Sequence, residues 1–175
     1  VVAKDENMMQ AFIDGKDLHT ATADALGCDR QIAKSANFGL LYGSGAKGLR
    51  NYAAGMGVQI TLEEARDVRE KWLGTYYGIR EWHKQLSELS DETKGTMADI
   101  RVPVSRMRRF LPGDMNRLTI RANTPIQAAG AAILKCTLGS LWQHLKDVDE
   151  DQAKLCACVH DEAIMLVRED DGPKW

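Results

Sequence analysis

The sequence contains little cysteine, little proline and no long apolar run among its 175 residues. Its four cysteines lack the spacing of a zinc site, and we interpret them as reduced core residues of a cytosolic protein. No segment approaches the length needed to span a bilayer, and no charged-then-apolar leader opens the chain. Apolar residues make up 44% of the chain, so we expect a folded core rather than a disordered segment.

Charge is nearly balanced over the whole chain but is distributed unevenly along it. The formal net charge of −2 and the pI near 6.1 exclude a histone-like polycation. Residues 101–121 nevertheless carry six arginines and one aspartate, whereas residues 1–29 and 146–171 are acidic. A basic middle between acidic ends is compatible with a local surface that contacts phosphates.

Helical periodicity dominates, and the predicted fold class is α+β with mostly helices. The predicted helices cover 5–13, 20–26, 30–42, 61–76, 79–89 and 125–145. The start signals are Asp29 as an N-cap, the capping box from Thr61 to Glu64, and Pro125 at a first helical position. Residues 95–112 read as extended, and residues 155–159 and 163–167 read as two strands of a hairpin.

Four residues recur at every fourth position of the helix over 30–42, namely Arg30, Lys34, Phe38 and Tyr42. Each step drifts by about 40°, so the four side chains share one slowly winding face, opposite an apolar face. Two cations about 6 Å apart near a helix N-terminus can bind adjacent phosphates of a nucleoside triphosphate. The two rings lie further along the helix, where the sugar and base of that nucleotide would lie. The alternative is an ordinary amphipathic helix with exposed bases and half-buried rings.

The hairpin tip at His160, Asp161 and Glu162 places two carboxylates side by side between apolar strands. Adjacent acids on a rigid turn can hold a hard divalent cation through oxygen ligands. The alternative is a solvated turn, since turns favour aspartate. A metal site here needs a further acid from elsewhere.

Several segments together resemble the family A, bacterial polymerase-I-like, DNA polymerases. Residues 30–43 are similar to motif B of that family, R-x3-K-x3-[FY]-G-x2-Y-G, and residues 159–162 are similar to its motif C, VHDE. Further similar segments are the DEN at 5–7, DLHTATA at 17–23, RRFLP at 108–112 and NTPIQ at 123–127. They occur in the order of the family and span nearly the whole chain.

The resemblance implies template-directed DNA synthesis, by transfer of a nucleotide from a deoxynucleoside triphosphate (dNTP) to a primer 3′-hydroxyl, with two Mg²⁺ ions in the complete enzyme. The residues implied to bind the dNTP are His19, Arg30, Lys34, Phe38 and Tyr42, with Lys34 also at the leaving pyrophosphate. The implied metal and catalytic carboxylates are Asp161 and Glu162. The residues implied to contact primer–template DNA are Asn123, Gln127, His160, Arg121, Arg108 and Arg109. For Gln127, a capping box with Thr124 is the structural alternative.

The resemblance also implies the fingers and part of the palm of a right-hand polymerase, with motif C on an antiparallel hairpin. Residues 1–14 would lead from palm to fingers, 15–94 would form the fingers, and 95–175 would belong to the palm. Motif A, with the second catalytic aspartate, would lie before residue 1, so we expect this chain not to extend a primer alone. The expected location is the cytoplasm of a bacterial or phage-infected cell, with no membrane partner and no implied oligomer.

Two other functions compete with this interpretation. The glycines at 43–48 match G-x-G-x-x-G, the fingerprint of a dinucleotide-binding oxidoreductase, which requires a strand before them. A non-catalytic nucleic-acid-binding module would use the helices and the arginines but would not need Asp161.

Overall fold

A computed structural model of the chain describes residues 3–92, 98–102, 105–115 and 117–174. Within these ranges the structure is mostly helical, with two separate two-stranded antiparallel sheets. The helices are α1 (Glu6–Ile13), α2 (Leu18–Leu26), α3 (Arg30–Leu41), α4 (Ala46–Gly55), α5 (Leu62–Thr75), α6 (Tyr77–Glu92) and α7 (Leu118–Leu145). The strands are β1 (Ala98–Arg101), β2 (Arg108–Leu111), β3 (Ala153–Val159) and β4 (Glu162–Val167). The predicted α+β class is confirmed.

Side-chain caps explain where four of the helices begin. Asp5, Asp17 and Asp29 precede α1, α2 and α3, and each carboxylate accepts a hydrogen bond from a backbone N–H of the first turn. Thr61 and Glu64 form the predicted capping box at the start of α5, with both reciprocal hydrogen bonds present. The starts of α3 and α5 were predicted from Asp29 and Thr61, because these caps act within three residues, whereas α2 begins at Leu18 and not at the predicted residue 20.

The core of the helical part is centred on Trp72, which is completely buried. Helices α2 to α6 contribute to it, and its buried members are Leu26, Ala36, Leu40, Leu49, Ala65, Trp72, Leu73, Tyr76 and Ile79. The apolar face predicted for the 30–42 helix therefore faces this core. Because that face is buried, the face with the cations and rings points away from it.

The segment at the start of α1 is tied to the junction between α5 and α6. The buried carboxylate of Asp5 accepts hydrogen bonds from the backbone N–H groups of Met8 and Gly78, both at 2.8 Å. Glu6 accepts a hydrogen bond from the hydroxyl of Tyr77. A Cβ on Gly78 would lie 2.7 Å from the Cα of Asp5, so only glycine allows this close approach.

Two helices differ from the prediction. Helix α4 was not predicted, although its buried Leu49 and Ala53 are spaced by four residues as on one helical face. Helix α7 begins at Leu118 instead of 125, so that Pro125 lies inside it. Proline removes one backbone hydrogen bond there, but Pro125 and Thr124 are buried in the packed helix, and tertiary packing offsets that local loss.

The glycine-rich segment over 43–48 follows helix α3 and leads directly into α4. The dinucleotide fingerprint requires a parallel strand before its glycines, and the element present is a helix. The sheets in the described residues are two antiparallel hairpins, with no βαβ unit. The dinucleotide-binding alternative is therefore wrong.

Strands β1 and β2 pair antiparallel from Ala98 with Leu111 to Arg101 with Arg108, as the extended segment over 95–112 predicted. Residues 95–97, Pro103 and Val104, which belong to this predicted segment, lie outside the described residues.

Strands β3 and β4 pair with Val159 opposite Glu162, so the turn between them consists of His160 and Asp161 alone. Glu162 was predicted in the tip but begins β4. His160 has a φ of 56°, which brings the chain around in a two-residue turn. A bulge at Cys156 shifts the register further along β3.

The prediction that the cysteines are core residues is wrong for three of them. Cys136, Cys156 and Cys158 are exposed, and Cys28 is half-buried. The β3–β4 hairpin is exposed over most of its length, so most of its apolar side chains are not buried within this chain. All four thiols are free.

Candidate active site

The outward face of α3 carries the four residues predicted to share it, Arg30, Lys34, Phe38 and Tyr42, which we call the stripe. The two cations of the stripe have different environments. Arg30 lies at the helix start, where its Nε donates to the Asp17 carboxylate at 2.9 Å and to the Thr20 hydroxyl at 3.3 Å. The Arg30 and Thr20 hydrogen bonds lower the pKa of Asp17 far below its ordinary range. Arg30 is thus held by Asp17, the N-cap residue of α2. Lys34 lies one turn further along α3 and is half-buried.

Aromatic rings continue this face beyond Lys34. Phe38 is 44% exposed, and its ring centroid lies 5.6 Å from that of His19 on α2. On the other side, 6.4 Å separates the centroids of Phe38 and Tyr52 on α4. Sequence reasoning missed Tyr52, because α4 itself was not predicted. The face therefore combines cations, an imidazole and neighbouring, mutually tilted aromatic rings from three helices.

His19 is half-buried, and its pKa lies below the usual histidine value. Burial is the main cause, and the positive charges of Arg30 and Lys34 add to it, while Asp17 opposes the shift. Beneath the ring, Asn37 on α3 places its amide nitrogen 3.0 Å from Nδ1 of His19. The lowered pKa favours the neutral form of His19 at this solvent-facing surface.

Tyr42 ends α3 as its C-cap, and its hydroxyl accepts a hydrogen bond at 3.2 Å from Nε2 of Gln127 on α7. Thr124 lies inside α7, so it cannot be the N-cap of a helix starting there. The capping-box alternative for Gln127 is therefore wrong, because α7 already runs through this position. The hydrogen bond between Tyr42 and Gln127 joins motif B to the NTPIQ segment.

A cavity of about 480 Å³ separates α7 from the β3–β4 turn. Gln127, Gly130 and Leu134 line it on the helix side, and His160 and Asp161 line it on the turn side. Gln127 therefore reaches both Tyr42 and the space in front of the turn carboxylate. Lys34 is not among the lining residues, so the structure connects α3 to Asp161 through Tyr42 and Gln127.

Asp161 and Glu162 present adjacent exposed carboxylates, whose oxygens are the ligand type that Mg²⁺ prefers. No group of three or more His, Cys, Asp or Glu side chains in the described part of the chain forms a metal site. The donor chemistry fits a divalent cation, but these residues supply only part of a coordination shell.

A second cavity, of about 340 Å³, lies at the start of α7. Arg109 on β2 lines it together with Thr119, Asn123 and Gln127. Three residues predicted to contact DNA thus line one recess, although they come from two motifs, RRFLP and NTPIQ.

The other two predicted arginines are engaged with protein groups. Arg108 donates from Nε to Asp99 at 3.0 Å and covers the Phe110 ring, with 5.1 Å from its guanidinium carbon to the ring centroid. Arg121 is buried, and it lies 3.5 Å from the carbonyl oxygen of Leu89 on α6. A direct DNA contact by Arg121 does not fit this placement, because the side chain faces the packing between α6 and α7.

The fold itself defines a class of protein. Its similarity to the POL domain of Pol1 from M. smegmatis, whose structure holds a DNA primer–template and dNTP, has a TM-score of 0.77 over 99% of this chain. The sequences are 24% identical, and the chain covers 32% of that domain's chain. The fold is therefore that of part of a polymerase domain, with fingers and palm elements.

The family follows from the sequence comparisons. The family model for DNA polymerase family A matches residues 1–174. The chain is 38% identical over 176 residues to DNA polymerase I of Aquifex aeolicus, covering 93% of this chain and 29% of that protein. It is 37% identical over 125 residues to the DNA polymerase of Mycobacterium phage L5, covering 71% of this chain and 19% of that protein. The chain belongs to DNA polymerase family A, and it spans less than a third of these two relatives.

Among the described helices, none is both long and apolar enough to cross a membrane, and this includes the 28 residues of α7.

Proposed function

We propose that this chain forms the dNTP-binding helix and one catalytic carboxylate of an enzyme that copies a DNA template. The observation that supports this most directly is the position of Gln127. Its side chain donates a hydrogen bond to Tyr42 at the end of α3 and also lines the cavity next to Asp161. A nucleotide held along α3, with its phosphates at Arg30 and Lys34, would then have its sugar and base at the Tyr42 end of the helix, next to that cavity. Family membership and the order of the motifs agree with this arrangement.

On the α3 face, Lys34 and Arg30 would bind the triphosphate as charge partners, and His19 would add a hydrogen bond. Phe38 would pack against the sugar and base, with Tyr52 behind its ring. Because the Nε of Arg30 already donates to Asp17, Arg30 would bind a phosphate through the N–H groups of its Nη nitrogens, or would exchange its Asp17 contact. Phosphoryl transfer asks the protein mainly to position groups and to stabilise charge, which this face can do.

Asp161 and Glu162 would hold a divalent cation, Mg²⁺ in our proposal, together with substrate phosphates and a further carboxylate from motif A. When bound, such ions stabilise the charge of the attacking and leaving oxygens. His160 would support the turn near the primer end, since it supplies the positive-φ residue that turns the chain. Loss of the Asp161 carboxylate would then reduce catalysis and leave DNA binding unchanged.

Primer–template DNA would lie along the recess lined by Arg109, Asn123 and Gln127. Amide donors suit the minor groove, where base acceptors are nearly the same for all sequences. Arg109 would contact a backbone phosphate, whereas Arg108 is held by Asp99. In this proposal residues 1–14 join palm to fingers, 15–94 form the fingers, and 95–175 belong to the palm.

The proposal is tested by Asp161→Asn and Lys34→Ala in a complete polymerase that contains this chain. Asp161→Asn removes the metal-binding charge at constant shape, and we expect incorporation to fall by roughly 10³-fold, equivalent to several kcal/mol, with unchanged primer–template affinity. Lys34→Ala should raise KM for dNTP and lower kcat. Lys71→Ala, which changes an exposed lysine on α5, is the matched control and should leave both constants unchanged.

A non-catalytic nucleic-acid-binding module predicts a different result. Asp161→Asn would retain DNA affinity under both hypotheses, but a binding module would show no metal-dependent incorporation even in the wild-type protein. Incorporation at the wild-type rate by Asp161→Asn would contradict the role assigned to the turn.

A further inference from the structure

A buried hydrogen-bond network lies directly beneath the imidazole of His19. It joins α2, α3 and the end of α5, and its members Thr22, Asn37, Trp72 and Tyr76 are all at most 5% exposed. None of these four residues belongs to the stripe on the outer face of α3. A buried polar network of this kind is stabilising only when its donors and acceptors are matched.

Trp72 determines which way the Asn37 amide points. The indole Nε1–H can only donate, and Nε1 lies 2.7 Å from the atom assigned as Oδ1 of Asn37. A flipped amide would place its NH₂ group against the indole N–H, leaving two buried donors facing each other. The carbonyl oxygen of Asn37 therefore faces Trp72, and the NH₂ group faces the opposite way.

The Asn37 NH₂ group in turn determines where His19 carries its proton. Nδ2 of Asn37 lies 3.0 Å from Nδ1 of His19, and an amide nitrogen can only donate. Nδ1 must therefore be unprotonated. Both the Nδ1–H tautomer and the doubly protonated imidazolium would place two donors against each other.

The remaining members complete the network with no donor left over. The second N–H of Asn37 donates to the Thr22 hydroxyl oxygen at 3.0 Å. The Tyr76 hydroxyl, 2.6 Å away, donates to the other lone pair of that oxygen. Thr22 then donates its own proton to the carbonyl oxygen of Leu18 at 2.7 Å. Oδ1 of Asn37, 3.2 Å away, is a second acceptor for the same Thr22 proton, and either choice satisfies every donor with the same orientation of the Asn37 amide.

We infer that Asn37 is a positioning residue that holds His19 as the neutral Nε2–H tautomer, so that His19 offers the triphosphate a hydrogen-bond donor and not a positive charge. The inference rests on the proposed function for the identity of the ligand. The protonation of His19 follows from the network alone. Within the described residues, Nε2 makes no hydrogen bond, which leaves its proton available to a phosphate oxygen.

The charges around the imidazole agree with a neutral ring. Burial is the largest cause of its lowered pKa; Arg30 and Lys34 on α3 lower it further, and Asp17 at the cap of α2 acts in the opposite direction. Helix α5 and its C-cap contribute Trp72 and the Tyr76 phenol, whose own pKa is raised by burial. No ionisable group of α1 acts on the ring in the described part of the chain.

Histidine ¹⁵N NMR of the ligand-free chain tests the protonation directly between pH 6 and 8. We expect His19 to show a bare Nδ1 and a protonated Nε2. His144 is an internal reference of the opposite kind, because its Nδ1 lies 2.8 Å from the Ser140 carbonyl oxygen and must carry a proton. A protonated Nδ1 on His19, or a mixture of tautomers, would overturn the inference.

Asn37→Asp is the matched variant, because it replaces the donor beneath Nδ1 by an acceptor of the same shape. A carboxylate there should draw a proton to Nδ1 and raise the pKa of His19. The Trp72 indole N–H resonance should keep its hydrogen-bonded position, which shows that the variant remains folded. An unchanged His19 protonation in a folded Asn37→Asp protein would contradict the role of Asn37.

Kinetics in a complete polymerase that contains this chain separate the inference from the proposed function. A neutral donor predicts that His19→Gln keeps KM for dNTP within about threefold, while His19→Ala raises it about tenfold at every pH from 6 to 8. If Gln and Ala raise KM equally and Lys restores it, His19 acts by charge and the inference fails. If none of these variants changes KM, the triphosphate contact in the proposed function fails instead, while the NMR result still reports the tautomer.

Discussion

The side-chain nitrogen Nε2 of Gln127 lies 3.2 Å from the hydroxyl oxygen of Tyr42, although 85 residues separate the two in sequence. This contact joins the C-terminal end of α3 to α7. The same glutamine lines the cavity next to Asp161 and the recess next to Arg109. It is therefore the residue that connects the predicted nucleotide-binding helix with both other parts of the candidate site.

A double-mutant cycle with Gln127→Leu and Tyr42→Phe should measure this connection. We expect a coupling free energy of about 0.5–1 kcal/mol in urea unfolding, because an exposed neutral hydrogen bond contributes little more than that. Gln143→Leu, elsewhere on the exposed side of α7, paired with Tyr42→Phe should show no coupling. Additive effects for the Gln127 pair would mean that the contact contributes no stability.

Gly78→Ala should destabilise the fold by about 1–3 kcal/mol. Its Cβ would lie 2.7 Å from the Cα of Asp5, a backbone atom that cannot move aside without breaking the cap of α1. Gly74→Ala, four residues earlier in α5, has no atom within 4 Å of the new Cβ. The control should therefore raise the free energy of unfolding by up to about 1 kcal/mol, in the opposite direction. Equal effects at the two glycines would contradict the close approach.

Acid should weaken the link between α2 and α3. The pKa of Asp17 is lowered in the folded protein by its hydrogen bonds with Arg30 and Thr20. A lowered folded-state pKa means that stability is present above the unfolded-state value, about 3.9, and is lost as pH falls through the folded-state value. We expect the Tm of the wild-type protein to fall more steeply between pH 5 and pH 2 than that of Asp17→Asn. Parallel Tm profiles would show that this carboxylate does not contribute to the acid dependence.

The two neighbouring arginines of β2 should differ in their effect on DNA binding. Arg109→Ala should weaken primer–template binding and reduce the slope of log K against log salt by about one, because one phosphate contact is lost. Arg108→Ala should leave that slope unchanged, because its guanidinium is held by Asp99 and packs over Phe110. Both variants remove one positive charge, so a difference between their salt slopes reflects where the two side chains lie. A larger effect on the slope from Arg108→Ala would reverse the assignment.

Local chemistry explains which elements the sequence predicted well. The caps Asp29 and Thr61 act on backbone groups two or three residues away, so their patterns are readable without the tertiary fold. The hairpin turn at His160 was likewise predicted, because apolar strands flank polar turn residues. Helix α4 was missed, since its N-cap Gly45 provides no side-chain hydrogen bond and Gly48 lies in its first turn.

Packing between distant segments explains the errors. Pro125 looked like a helix start, but α7 continues through it because the surrounding residues are buried. Cys156 and Cys158 looked like core residues, yet the hairpin that carries them is exposed. Periodicity describes which residues can share a face, but it does not say whether anything covers that face.

The sequence alone determined the family, the order of the motifs and the spacing that places Arg30, Lys34 and Phe38 on one side of α3, because helical geometry is local and regular. Only the tertiary structure decided that Arg30 is paired with Asp17, that Gln127 reaches Tyr42, and which nitrogen of His19 carries a proton. Those features depend on distances between atoms of different helices, and such distances are set by how the helices pack around Trp72.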